Sequence, residues 1–261
     1  MIQIMKKTVL ALAVLGAVST AEADVVGGQS DAASPFHVGT ATYGTAGAAG
    51  AGVTGQILNL VASFDHFALP AYFNSTTGVY SVSGRQLVAD GAPGPGTPVD
   101  HSGLGVWSFA QVGSQDVWFG EWDAESTTGA IGTKVAGTHT VWYNGENGNV
   151  ASTLPTAAPV TYTVRSINNY SGSTLPTSTL TANFATGAAS ATGDIGFTGG
   201  TINTVGSDVR LAASGVSVAS ASGTGGSLDG KFYGTGAAGV AGIVTFSDRT
   251  KDTAFGGSKN L

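Results

Sequence analysis

Four histidines are the residues of this chain best suited to chemistry. They are His37, His66, His101 and His139, and none has the close spacing of a compact zinc site. An imidazole nitrogen can bind the iron of a porphyrin while aromatic side chains cover the hydrophobic ring. A partly buried histidine that hydrogen-bonds to backbone fits each single position as well. The neighbours of His66 are apolar and aromatic: Phe64, Phe67, Leu69, Tyr72 and Phe73.

Sulfur ligands are absent from the chain beyond its first residues. The sequence has no cysteine, and both methionines, Met1 and Met5, lie in the leader described below. A metal or a haem iron would therefore need His, Tyr or carboxylate ligands.

We rank His66 first as an iron ligand because of its aromatic surroundings. His37 is second, because it precedes a glycine-rich stretch that could move to admit a flat ligand. His101, on another Gly/Pro-rich stretch, is the reserve candidate. His139 is last, because residues 138–143 have the pattern of a regular strand. Two axial histidines would leave no open position on the iron, which suits a carrier better than a catalyst.

Further side chains complete the predicted site. Phe64, Phe67, Tyr72 and Tyr43 are candidates for covering the ring of haem b. Arg85 is the candidate partner of a propionate, because a guanidinium binds a carboxylate in a bidentate manner.

Catalytic motifs are missing from the sequence. It contains no G-x-S-x-G elbow, no H-E-x-x-H, no Walker loop and no cysteine nucleophile. Glu121 and Asp123 would face the same side of a strand, as a pair of glycosidase carboxylates does, but a solvated strand face explains them equally well. Residues 44–55 match the spacing of a phosphate-binding loop only loosely, so we interpret them as an ordinary loop. The protein is predicted not to be an enzyme.

The first 23 residues have the pattern of a secretory signal. Lys6 and Lys7 precede an apolar run over residues 8–18, and an A-x-A cleavage site ends at Ala23. The mature chain would begin at Asp24. A membrane anchor is not expected, because this run is far shorter than the roughly 20 residues needed to cross a bilayer. The net charge of -6 disfavours binding to nucleic acid.

The rest of the chain is predicted to be all-β. Residues 24–155 hold every histidine and tryptophan, and they are expected to form an irregular, β-rich, ligand-binding domain. Residues 160–261 show short alternating runs at regular intervals, which predict a small antiparallel barrel of about eight strands. Residues 145–159 have the composition of a linker. Residues 57–67 fit either a helix or a buried strand.

The end of the chain resembles a known barrel signature. Residues 227–234, SLDGKFYG, and the glycine- and alanine-rich stretch 237–246 resemble the closing motif of transferrin-binding-protein-B-like barrels on Gram-negative surfaces. Residues 255–259, FGGSK, resemble their final strand. Thr235 stands where that family has proline, and Val240 where it has an acidic residue. The length, the single barrel and the absent lipid-carrying cysteine resemble the hemophilin-type hemophores, which are secreted haem-binding proteins of this kind.

The resemblance implies a role in iron acquisition. It implies secretion, translocation across the outer membrane by a Slam-type translocator, and delivery of haem to a TonB-dependent receptor, with haemoglobin as a candidate source. The barrel would serve as the translocation handle. The alternative is a surface adhesin, or a module that binds a host protein, with no cofactor.

Overall fold

The computed structural model describes residues 24–91 and 100–261. The predicted signal peptide and its cleavage after Ala23 lie outside these residues. Within them, no helix is long and apolar enough to cross a membrane. The regular structure of the described residues is mostly strands, as predicted, with two short α-helices, α1 (Phe64–Phe67) and α2 (Gly84–Ala89).

The N-terminal half is built on a six-stranded antiparallel sheet, in the spatial order β1-β9-β8-β7-β6-β5. Its two faces carry alternate residues of each strand. In β8, Trp118 and Trp122 face an aromatic core, whereas Phe119 faces the C-terminal half. The strands of this sheet are β1 (Val25–Gln29), β5 (Phe73–Asn74), β6 (Val79–Ser83), β7 (Val106–Gln111), β8 (Val117–Asp123) and β9 (Thr140–Glu146).

A second sheet of three strands covers the aromatic core. It contains β2 (Phe36–Thr40), β3 (Ala49–Val53) and β4 (Ala62–Ser63). The prediction of a loop over residues 44–55 is wrong for β3, which is buried along its whole length. The strand consists of small residues, so the neighbouring backbone can approach closely: a Cβ on Gly50 would lie 2.5 Å from the carbonyl oxygen of Ala62.

The segment that fitted either a helix or a strand contains pieces of both. A 3-10 turn at Ile57–Asn59 is followed by β4 and then by the single turn of α1. The helix α2 has no counterpart in the sequence-based interpretation. It is capped by Ser83, whose hydroxyl accepts a hydrogen bond from the backbone N–H of Gln86 at 3.2 Å.

The C-terminal half is a closed antiparallel barrel of eight strands, which confirms the predicted architecture. At Asp194 the chain turns directly from the third strand of the barrel into the fourth. The strands are β10 (Val160–Ile167), β11 (Thr177–Asn183), β12 (Ala188–Gly193), β13 (Ile195–Val205), β14 (Asp208–Val218), β15 (Gly223–Tyr233), β16 (Gly239–Thr245) and β17 (Thr253–Lys259).

The two halves share a hydrophobic core. Phe119 and Tyr143 of the six-stranded sheet pack in one cluster with Tyr233, Ile243 and other residues of the barrel. The predicted linker is not an exposed spacer, because β9 continues to Glu146 and a 3-10 turn at Val150–Thr153 buries Val150 in the barrel core. The six-stranded sheet is therefore covered on both faces.

Candidate functional site

A cleft lies between the three-stranded sheet, α1 and the turn that follows His101. It has a volume of about 40 Å³ in this conformation, well below the roughly 300–1,000 Å³ of small-molecule sites, so it would have to widen to admit a porphyrin. A second cleft, of about 110 Å³, shares His66, Phe67 and His101 with the first. Two imidazoles thus lie at the junction of two adjacent clefts. The first cleft is lined by Tyr43, Ala51, Gly52, Val53, Gln56, Ile57, Leu60, Ala62, His66, Phe67, His101 and Leu104.

Aromatic rings flank His66. The ring of Tyr43 packs edge-on against the imidazole, with 4.9 Å between centroids and 82° between planes. Phe67, on the same helical turn, lies at 6.0 Å. His66 is itself exposed to solvent, so its side chain is not held in the core.

The loop after Tyr43 fixes the helix that carries His66. The hydroxyl of Thr45 donates a hydrogen bond to the carboxylate of Asp65 at 2.6 Å, and the backbone N–H of Thr45 donates to the hydroxyl of Ser63 at 3.0 Å. Partial burial favours the protonated acid, but the hydrogen bonds from Ser63 and Thr45 outweigh it and hold the pKa of Asp65 below its ordinary value. Asp65 therefore stays ionised and anchored.

His101 is held by the turn that it begins. Its carbonyl oxygen accepts a hydrogen bond from the backbone N–H of Leu104 at 3.0 Å. The carbonyl oxygen of Leu104 in turn accepts hydrogen bonds from the indole N–H groups of Trp107 and Trp122, at 2.7 and 2.8 Å. Two buried tryptophans thus fix the wall of the cleft that bears His101.

His37 lies on β2 and is not among the residues that line the cleft. Its Nδ1 is 3.3 Å from the carbonyl oxygen of Pro35. With the proton on Nδ1, Nε2 keeps its lone pair, which is the arrangement usual for a metal-binding histidine. Nε2 is 3.1 Å from the position that a Cβ of Gly52 would occupy, and Gly52 does line the cleft. His37 is thus adjacent to the cleft wall.

The predicted ring-covering residues have different positions. Tyr43 and Phe67 line the cleft. Phe64 is fully buried and stacks on Trp142, with 4.6 Å between centroids and 4° between planes. It supports the cleft from behind. Tyr72 is half-buried, and its hydroxyl donates a hydrogen bond to the carboxylate of Asp90 at 2.8 Å.

Arg85 does not line either cleft. Its Nη1 donates hydrogen bonds to the carbonyl oxygens of Ser126, Gly129 and Ala130, at 3.0 to 3.3 Å. The guanidinium thus anchors the loop after β8 in this conformation.

Glu121 and Asp123 do face the same side of β8, but that face is not solvated. Both are buried against the barrel, and Lys134 contacts their carboxylates at 2.7 and 3.0 Å. Burial favours neutral Lys134, but the two carboxylates outweigh it and raise the pKa of Lys134. The solvated-face interpretation is wrong because it could not anticipate the barrel. His139 joins this buried group and lies outside the clefts.

Several residues that line the cleft could not be identified from the sequence as part of a site. Gly52, Leu60 and Leu104 are small or aliphatic, and only the fold brings them beside the histidines. In the described ranges, no group of three or more His, Asp and Glu side chains is arranged to hold a metal ion directly. Two imidazoles in a mainly apolar, aromatic wall are a donor set suited to haem iron.

The fold defines a two-part β protein, with two histidines in a cleft of its N-terminal half and a closed barrel beside it. The family model described as the HphA N-terminal heme-binding domain matches residues 19–140. The model described as the HphA C-terminal domain matches residues 152–259. The chain belongs to the HphA family, the hemophilins, and it is a haem-binding protein.

Solved structures similar to this chain include transferrin-binding proteins B. The intact protein with N and C lobes has a TM-score of 0.42 and 12% identity, and the match covers 61% of this chain and 36% of that one. A mutant from Actinobacillus pleuropneumoniae H49 has a TM-score of 0.40 and 17% identity, with 57% and 80% covered. The isotype 1 protein from serogroup B Neisseria meningitidis has a TM-score of 0.37 and 13% identity, with 60% and 33% covered. This chain spans about a third of the length of the intact two-lobed protein.

Proposed function

We propose that this protein is a secreted hemophore that captures haem in the histidine-lined cleft and delivers it to a TonB-dependent receptor of the outer membrane. The observation that carries the proposal is that His66 and His101 line both adjacent clefts, within mainly apolar and aromatic walls. When bound, the haem supplies the iron that is transported. The protein holds, orients and shields it.

The geometry favours His66 as one axial ligand. The exposed imidazole is braced by Tyr43 and by the Thr45–Asp65 hydrogen bond. His101 is the favoured second ligand, because it lines the same clefts, and His37 is the alternative beside Gly52. Two imidazoles would occupy both axial positions and leave none for oxygen or peroxide, so a carrier is favoured over an enzyme.

The route to the cell exterior is part of the same proposal. The leader ending at Ala23 would direct export, and a Slam-type translocator would move the protein across the outer membrane by recognising the barrel. Haemoglobin is the candidate source of haem. The clefts lie in the N-terminal half, so the barrel is left available for such recognition.

The ligand assignment is tested by replacing His66, His101 and His37 singly by alanine and titrating each variant with hemin. We expect His66→Ala and His101→Ala to weaken binding and to shift the Soret band, whereas His37→Ala keeps the wild-type band. The reverse result for His37 and His101 would establish His37 as the second ligand. Wild-type spectra and affinity in both His66→Ala and His37→Ala would contradict the assignment that the sequence favoured.

Delivery needs a separate test. Haem-loaded protein should support growth of haem-dependent cells that have the outer-membrane receptor, and it should not support cells that lack it. Equal growth of both strains would contradict the hemophore role. A protein that stays colourless with added hemin would favour an adhesin.

A further inference from the structure

Three consecutive residues beside the cleft have a left-handed backbone. Ile57, Leu58 and Asn59 have φ values of 42°, 58° and 58°, and none is glycine. This region is rare for residues with a side chain and especially unfavourable for a β-branched one such as Ile57. The turn is closed by hydrogen bonds of its own segment: Asn59 N–H to Gln56 O at 2.8 Å, and Gly55 N–H to the side chain of Asn59 at 2.6 Å.

This strained segment spans the cleft. Gln56, Ile57 and Leu60 contribute to its lining. At one end, the side chain of Gln56 packs so tightly on Gly103, in the turn after His101, that a Cβ there would clash with it. At the other end, the carbonyl oxygen of Leu60 packs on Gly52 of β3, 2.6 Å from the position that a Cβ would occupy. The segment therefore connects the two walls of the cleft.

Little apolar burial holds the segment in place. Ile57 is half-buried against the aromatic core, but Asn59 is exposed and the side chain of Leu58 is 82% exposed. Strain at a ligand site together with few buried contacts is typical of an element that changes conformation on binding.

We propose that residues 56–60 are a gate, closed in this conformation, that must leave its left-handed backbone before the cleft, now of about 40 Å³, is wide enough for haem to enter between its walls. This proposal depends on the proposed function, which places the haem site in this cleft. Opening releases the backbone strain, which offsets the loss of the contacts at Gly52 and Gly103. The observed rate of haem uptake is then proportional to the fraction of protein with the gate open.

The test changes the backbone preference at Leu58, whose exposed side chain makes little packing contribution. Asparagine tolerates the left-handed region, so Leu58→Asn favours the closed gate. The β-branched Leu58→Val disfavours it. Leu58→Ala is the matched control, because it removes the side chain and leaves the backbone preference nearly unchanged. Rates of hemin association are measured by stopped-flow absorbance on the full chain.

We expect Leu58→Asn to slow association about fivefold relative to Leu58→Ala, the change that about 1 kcal/mol of relieved strain produces, and Leu58→Val to speed it. Hydrogen exchange of the backbone amides of residues 55–61 in the haem-free protein should slow in Leu58→Asn and quicken in Leu58→Val. The gate would be overturned if hemin associated at the same rate with all three variants, or if Leu58→Asn and Leu58→Val changed the association rate in the same direction. If these variants overturn the gate but keep a wild-type Soret band, the proposed haem site still stands. The histidine variants test the haem site and do not test the gate.

Discussion

The imidazole of His139 joins the two halves of the molecule. Its Nε2 lies 3.1 Å from the carbonyl oxygen of Asp252, the residue before β17, and its Nδ1 lies 3.4 Å from the carboxylate of Asp123 on β8. The backbone oxygen of His139 accepts a hydrogen bond from Arg249 at 2.8 Å. Since both ring nitrogens face oxygen acceptors, the doubly protonated ring fits this position best.

The first prediction concerns pH. Burial favours the neutral ring. The carboxylates of Asp123 and Glu121 and the carbonyl of Asp252 outweigh this effect and raise the pKa of His139. The cations that face this group are Lys134 and Arg249. A pKa raised on folding stabilises the fold at low pH, and this contribution is lost as pH rises through the folded-state pKa. We expect the free energy of unfolding to fall from about pH 6 upward.

His139→Gln keeps hydrogen-bonding capacity but does not titrate, so it should flatten this pH dependence. The measurement is urea unfolding of both proteins at several pH values. A wild-type slope that persists in His139→Gln would assign the effect to other groups. The haem spectrum of the folded variant should match the wild type, because His139 lines neither cleft.

The second prediction concerns the aromatic core behind the cleft. Phe64 is fully buried and stacked on Trp142. We expect Phe64→Ala to lower the free energy of unfolding by about 3–5 kcal/mol, through lost burial and the cavity that remains. Phe64→Leu should cost less. Chemical denaturation measures both, and a loss below about 1 kcal/mol for Phe64→Ala would show that the core does not depend on this ring.

The barrel could be predicted from the sequence, whereas the small and aliphatic walls of the cleft could not. Barrel strands such as β10 alternate large inward residues, as at Tyr162 and Val164, with polar outward ones, so the period of two is visible. The strand β3 shows no such alternation of large and polar residues. Its small residues, such as Ala51 and Gly52, allow neighbouring backbone to approach closely and contribute little side-chain packing. The burial of Glu121 depends on a lysine 13 residues away and on the barrel, which no local pattern reveals.

The third prediction concerns the loop that positions His66. Gly44 has φ of 77°, and a Cβ there would clash with the hydroxyl of Ser63 and lie 3.1 Å from the Cβ of His66. We expect Gly44→Ala to displace α1 and to weaken hemin binding. Gly47→Ala is the matched control, because Gly47 has φ of 88° but its Cβ would meet nothing within 4 Å.

Both alanine variants should cost about 1–2 kcal/mol of stability through the left-handed backbone. Only Gly44→Ala should change hemin affinity and the Soret position. Equal affinities for the two variants would show that this loop does not orient His66.

The last prediction concerns the independence of the two halves. Tyr143 of β9 donates a hydrogen bond from its hydroxyl to Asp229 of the barrel at 2.7 Å, and Tyr233 of the barrel donates to the carbonyl oxygen of Val26 at 2.8 Å. Around these bonds, Phe119 and its neighbours bury the barrel-facing side of the six-stranded sheet. A fragment of residues 24–159 would expose that apolar face to water. We expect it to bind the dye ANS, to self-associate, and to unfold at lower denaturant than the full chain.

The full-length variant Tyr143→Phe is the control for this fragment. It loses one hydrogen bond but keeps the apolar contact, so it should be destabilised by only about 1 kcal/mol and stay monomeric. A monomeric fragment with native near-UV circular dichroism and no ANS binding would show that the haem-binding half folds without its partner. Hemin titration of such a fragment would then test directly whether the barrel contributes to the haem site. If the fragment associates instead, the barrel stabilises the haem-binding half by covering its sheet, and any role of the barrel in export must be tested by surface substitutions on the full chain rather than by truncation.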